Sequence, residues 1–135
     1  MDNNFSALLL NEAGLRAGSA GLEIDVRLPW YRSMPVSVVE VASLAIDGRP
    51  VPPDAIRFEV NGKTFALGEL ADQVGEFWFV LDDAVLHVAG VQAGQGETHG
   101  VELQLNLYPP YIPHLTWVTR ATKSMRVRPA REARP

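Results

Sequence analysis

Short runs in which apolar and polar residues alternate one by one dominate the chain, and Gly, Pro, Asn and Asp separate them. A spacing of two places one set of side chains on each face of a pleated strand, so these runs read as half-buried strands joined by turns. The clearest is 22–28, where Leu22, Ile24, Val26 and Leu28 alternate with Glu23, Asp25 and Arg27. A second run, 38–46, is apolar at most positions and ends at Asp47-Gly48, a dipeptide suited to the positive φ angles of a two-residue hairpin turn. Its return is blunted by Pro50, Pro52 and Pro53, which donate nothing to a ladder. Ile56, Phe58 and Val60 alternate into Asn61-Gly62 and residues 64–66 run back, a second hairpin with the same turn chemistry.

Helical spacing is confined to Leu67, Leu70, Ala71 and Val74, enough for one or two turns. Runs 77–81 and 85–89, joined by Asp82-Asp83, and 101–107 read as further strands, and 8–10 and 124–127 complete a set of about eight or nine. That set fills two packed layers. The expectation is an all-β fold, a two-layer antiparallel β-sandwich of jelly-roll-like form with at most one or two short helical turns. No repeat or linker divides it, so a single sandwich domain is expected over 5–127, with flexible termini at 1–4 and 128–135.

Composition narrows the function. A chain of 135 residues can bury about two thirds of its unfolded surface without staples. With 47% hydrophobic and 21% charged residues it has the profile of a globular protein. A net charge of -4 gives no electrostatic reason to bind nucleic acid. The basic cluster Arg120, Lys123, Arg126, Arg128, Arg131 and Arg134 is interleaved with Pro and Ala and reads as a solvated, frayed tail. The absence of cysteine excludes disulfides, thiolate nucleophiles and Cys-based zinc sites. The apolar run 8–10 is too short for a signal peptide and no segment approaches a spanning helix, so no membrane association and a cytoplasmic location are expected.

Candidate chemistry is sparse. His87, His99 and His114 stand in no metal-ligand spacing, and only His114, among prolines and aromatics, invites a test. No strained Gly-x-Ser-x-Gly turn offers a nucleophile. Gly94-Gln95-Gly96 precedes a strand, whereas phosphate cradles precede a helix. Glu23, Asp25, Glu40 and Glu102 could supply a carboxylate pair, yet each sits on a polar strand face or beside a turn, where solvated carboxylates belong.

Two segments invite a binding explanation. Leu28-Pro29-Trp30-Tyr31-Arg32-Ser33-Met34-Pro35 gathers Trp, Tyr and Arg, the residue types enriched at interface hot spots, between two prolines. Residues 107–117 form an aromatic loop fixed by Pro109, Pro110 and Pro113, which loses little entropy on association. The plainer reading, that both merely plug the ends of the sandwich, is weighed equally.

These segments resemble the small (β) subunits of bacterial C-glycoside deglycosidases. The resemblance runs through Trp30-Tyr31-Arg32-Ser33-Met34-Pro35-Val36-Ser37, Ala45-Ile46-Asp47-Gly48 and Phe58-Glu59-Val60-Asn61-Gly62-Lys63. The Leu67-Gly68-Glu69-Leu70 stretch, Trp78 and Tyr111-Ile112-Pro113 follow in order. It implies a heteromeric lyase that cleaves the carbon–carbon glycosidic bond of 3-oxo-C-glucosides, among them flavonoid C-glycosides, by elimination: the 3-keto group acidifies the C2 proton and the aglycone leaves from C1. A larger TIM-barrel α subunit would hold a divalent metal, manganese, and the acid–base residues. This chain would bind no cofactor or metal and contribute no catalytic residue. Trp30, Tyr31, Arg32, Met34 and Pro35 are then subunit-interface candidates. Tyr111, Pro113, His114 and Trp117 are candidates for the rim of the active site. The rival from another class is a stand-alone carbohydrate-binding β-sandwich module.

Overall fold

The alternation at Leu22, Ile24 and Val26 becomes the buried face of a strand, and the same logic builds most of the architecture. The computed structural model describes residues 5–19 and 21–130. Its strands are β1 (Leu10–Ala17), β2 (Gly21–Arg27), β3 (Met34–Pro35), β4 (Val39–Ile46), β5 (Arg49–Pro50), β6 (Ile56–Val60), β7 (Lys63–Ala66), β8 (Phe77–Trp78), β9 (Asp83–Ala89), β10 (Thr98–Leu107) and β11 (Trp117–Arg126). Helix is limited to one α-helical turn, α1 (Ser6–Leu9), and 3-10 segments at Val36–Val38, Pro53–Ala55 and Leu67–Asp72. One sheet runs β1-β2-β9-β6-β7 and the other β11-β10-β4-β5, with β3 and β8 forming a small ribbon. All these ladders are antiparallel, and the fold is the expected all-β sandwich.

The core lies between the sheets. Ile24, Phe58, Leu86 and Val88 from one face Leu44, Val101, Leu103 and Leu105 from the other, all at most 2% exposed. Both predicted tight turns form, with positive φ at Asp47 and Gly48 and at Asn61 and Gly62. The edges of β1 and β11 are stitched together: Arg128 N donates to Leu15 O at 2.9 Å and Lys123 Nζ to Leu10 O at 2.8 Å.

Four expectations need correction. The run 8–10 is strand only at Leu10, where β1 begins; Leu8 and Leu9 lie in α1, which turns Leu9 inward and leaves Leu8 62% exposed. Of the run 77–81, only Phe77–Trp78 is strand, and it pairs with β3. Trp78 is fully buried opposite Met34 on β3, its Nε1 donates to Asp82 O at 2.8 Å, and β9 lies between β2 and β6. The last strand is ten residues long, not the short 124–127 run, and pairs with β10 from Thr98 opposite Arg126 to Leu107 opposite Trp117. Accordingly Arg120, Lys123 and Arg126 sit on β11 rather than in a frayed tail.

Of the termini expected to be flexible, residues 1–4 and 131–135, with Arg131 and Arg134, lie outside the described residues. Arg128 forms a bridge to Arg16. Among the described residues no helix is long and apolar enough to cross a membrane.

Candidate functional site

The end of β2 sets the site. Pro29, with no N–H to give, takes the chain out of the sheet, and Trp30 folds back over the open end of the core at 7% exposure. At the same end, residues 108–116 link β10 to β11, pinned at the start by Tyr108 N donating to Val38 O at 3.0 Å. The two segments, 81 residues apart at their closest link, meet there. Trp30 Nε1 donates to Tyr111 Oη at 2.6 Å, and Trp117 Nε1 donates to Pro29 O at 3.1 Å. The Trp30 and Trp117 rings pack edge to face at 5.2 Å and 75°, and Phe5 closes on Trp117 at 6.3 Å and 76°. In each such pair one ring presents its electropositive edge to the face of the other.

Above this layer the site is open to solvent. Tyr31, 65% exposed, tilts over Trp30 at 5.1 Å. Tyr111 is 46% exposed, with the Arg32 guanidinium 5.3 Å from its ring centre in cation–π geometry. The two phenol oxygens lie 3.5 Å apart. Burial works against ionisation of Tyr111, but Tyr31, the Trp30 N–H and the Arg32 charge outweigh it and hold that phenol below its ordinary value. Tyr31 is pushed up, chiefly by its contact with Tyr111.

Trp30, Tyr31, Arg32, Tyr111 and Trp117 therefore form one cluster. Met34 does not belong to any surface: it is fully buried opposite Trp78, so its side chain cannot touch a partner. Pro35 is half-buried opposite Phe77. Pro113 and His114 are exposed on the far part of the loop, His114 with a φ of 63°. The sequence reading missed Phe79 and Leu81, 52% and 82% exposed on the neighbouring turn, where Val80 N donates to Ser33 Oγ at 2.9 Å. Their run, Phe77-Trp78-Phe79-Val80-Leu81, is apolar throughout and gives alternation nothing to orient by.

Most of the remaining polar candidates are engaged within the protein. Arg16 holds Asp25 through two bonds of 2.7 and 2.8 Å and reaches Glu23 at 3.3 Å. Glu40 accepts from Tyr108 Oη at 2.6 Å and Asn106 Nδ2 at 2.9 Å, which hold it below the usual carboxylate range. Glu102 is exposed on β10. His87 lies 2.6 Å from Glu59. His99 sits between Asp47 and Glu97 at the opposite end of the sandwich. Among the described residues no group of three or more His, Cys, Asp or Glu could hold a metal ion.

The family model for the C-glycoside deglycosidase beta subunit matches residues 8–111, a span that contains Trp30, Tyr31, Arg32 and Tyr111. The chain belongs to this family. It is 38% identical over 104 residues to a C-glycoside deglycosidase beta subunit of Microbacterium trichothecenolyticum, covering 77% of this chain and 79% of that one. It is 45% identical over 90 residues to one of Arthrobacter globiformis, covering 66% and 68%. A 3'-dehydrocarminate deglycosidase beta subunit of a Microbacterium species is 35% identical over 109 residues, covering 81% and 82%. Within the C-glycoside deglycosidase beta subunit family match, the segment at 28–35 is covered whole, while the loop at 108–116 is covered only as far as Tyr111.

Proposed function

We propose that this chain is the non-catalytic β subunit of a heteromeric C-glycoside deglycosidase, a cytoplasmic carbon–carbon lyase, and that its aromatic end docks on the larger α subunit. One observation carries the reading. Two segments remote in sequence meet in one face where Tyr31, Arg32 and Tyr111 stand exposed on a closed layer of Trp30 and Trp117. Aromatic and Arg side chains on a rigid support are the composition of interface hot spots, and Phe79 and Leu81 extend the apolar surface beside them.

The partner is proposed to be a TIM barrel that holds a divalent metal, manganese, together with the acid–base groups and a 3-oxo-C-glucoside. This chain's own task is proposed to be holding the partner and shaping the entrance to the partner's site. Tyr111, Pro113, His114 and Trp117 are proposed to lie at the rim of that entrance. One relative is named for 3'-dehydrocarminate, which supports a dehydro-sugar substrate.

A sugar-binding module is the second reading, favoured by the two exposed tyrosine rings. Expressing the chain alone and together with the large subunit, then assaying cleavage of a 3-oxo-C-glucoside, separates the two. Turnover confined to a co-purifying complex supports the subunit reading. A monodisperse chain that neither associates with the large subunit nor changes its activity overturns it.

A further inference from the structure

At the end of the sandwich opposite the aromatic face, a cavity of about 710 Å³ opens between the sheets. That volume lies within the range of small-molecule sites, roughly 300–1,000 Å³. Its wall is aliphatic, formed by Ile46, Pro50, Val51 and Val91, and its rim carries Arg49 and Gln92.

The loops that make it are held in place. Asp47 and Gly48 turn with φ of 53° and 78°, and Val51 N donates to Leu44 O at 2.8 Å. Three prolines at 50, 52 and 53 stiffen the connection that follows. Asp47 Oδ1 accepts from Gly100 N at 2.8 Å and its Oδ2 lies 2.5 Å from His99 Nδ1, while His99 Nε2 lies 3.2 Å from Glu97. Walls held in this way are preorganised and lose less entropy on binding.

The chemistry follows from which groups remain free. Both oxygens of Asp47 are hydrogen-bonded within the protein, and its charge is answered chiefly by His99 and, more weakly, by Arg49. The side chains of Arg49 and Gln92 make no hydrogen bond to the described residues, while the Arg49 backbone pairs with Ile46 in the β4–β5 ladder. A guanidinium fork with no hydrogen-bond acceptor of its own, set at the mouth of an aliphatic cavity, matches a carboxylate carrying a compact apolar body. We propose that this cavity is a binding site for a small monocarboxylate, its carboxylate on Arg49 and Gln92 and its apolar body against Pro50, Val51 and Val91. The site shares no residue with the aromatic face, so its fate is independent of the docking reading.

The test is a titration of the full-length chain with benzoate, and separately with the uncharged benzyl alcohol, followed by amide shifts in two-dimensional NMR. Benzoate is expected to give saturable shifts centred on Arg49, Gly90, Gln92 and His99. Benzyl alcohol is expected to bind about 10-fold or more weakly, and Arg49→Gln to weaken benzoate by a similar factor. The amide spectrum of Arg49→Gln away from the cavity shows whether the variant is folded. Absence of saturable shifts at tens of millimolar benzoate overturns the proposal, as does equal binding of the alcohol or of benzoate by Arg49→Gln.

Discussion

The aromatic end makes a prediction in which stability and affinity part company. Trp30 is 7% exposed and wedged between Trp117 and Tyr31. Truncating a buried tryptophan costs about 3–5 kcal/mol, and its two ring pairs add roughly 0.5–1.5 kcal/mol each beyond burial. Trp30→Ala therefore removes much of the stability of a domain this size. Tyr31, by contrast, is 65% exposed. With about a third of a side chain of ~200 Å² withdrawn from water, at ~25 cal/mol per Å², Tyr31→Ala costs at most about 2 kcal/mol. If Tyr31 is a docking anchor, the same substitution weakens association with the large subunit by about 2 kcal/mol or more, close to 30-fold in Kd. Urea unfolding followed by tryptophan fluorescence measures the first effect, and calorimetric titration of the large subunit with each folded variant measures the second. Wild-type affinity in Tyr31→Ala, with Trp30→Ala losing affinity only in proportion to its unfolded fraction, would mean that the cluster merely plugs the sandwich.

Two further outcomes follow from the opposite end and from the sheet. His99 is held above its ordinary value of 6.5, chiefly by its bond to Asp47 against the opposing effect of burial, so its stabilisation is complete below that value and is lost as pH rises through the raised one. The urea midpoint of the wild type should fall across that window, and His99→Gln should flatten the profile; an unchanged profile refutes the assignment. A Cβ on Gly21 would collide with the Val88 carbonyl oxygen across the β2–β9 ladder, whereas one on Gly48 meets open space and suffers only its positive φ of 78°. Gly48→Ala should cost about 1–2 kcal/mol and Gly21→Ala clearly more, as read by urea midpoints.

Much of the fold was legible because two local signals coincide with tertiary need. Alternation oriented β2, β6 and β10, and Asp-Gly and Asn-Gly fixed two hairpins. The failures have equally local causes. β11 faces the core with Thr119 and Lys123 among its inward residues, so its pattern does not alternate by hydropathy; Thr119 is fully buried, and Lys123 is accommodated because its Nζ reaches Leu10 O. The uniform run 77–81 concealed that Trp78 goes inward and Phe79 and Leu81 outward. For the site, the residue types were visible but their meeting was not, since the Trp30–Tyr111 bond spans 81 positions. Nor can adjacency in sequence reveal that Trp30 and Met34 face inward while Tyr31 and Arg32 between them face out.

That division of faces favours the proposed docking surface over a plug. An open sandwich end must cover the last apolar layer of its core, and the atoms that do so are those turned inward. Here Trp30 and Trp117, with Phe5 against them, complete that cover, and their two indole N–H groups find acceptors on Tyr111 and Pro29. Tyr111 thus has a structural reason to be a phenol. Tyr31 and Arg32 do not: they lie outside a layer that is already closed, and Arg32 is spent on the outer face of Tyr111. Phe79 and Leu81 also turn apolar surface to water. Exposed single hydrophobic residues are ordinary, but several from three loops meeting at one end form a patch that closure does not need. Burial against a second subunit gives that patch a purpose that sealing the core does not.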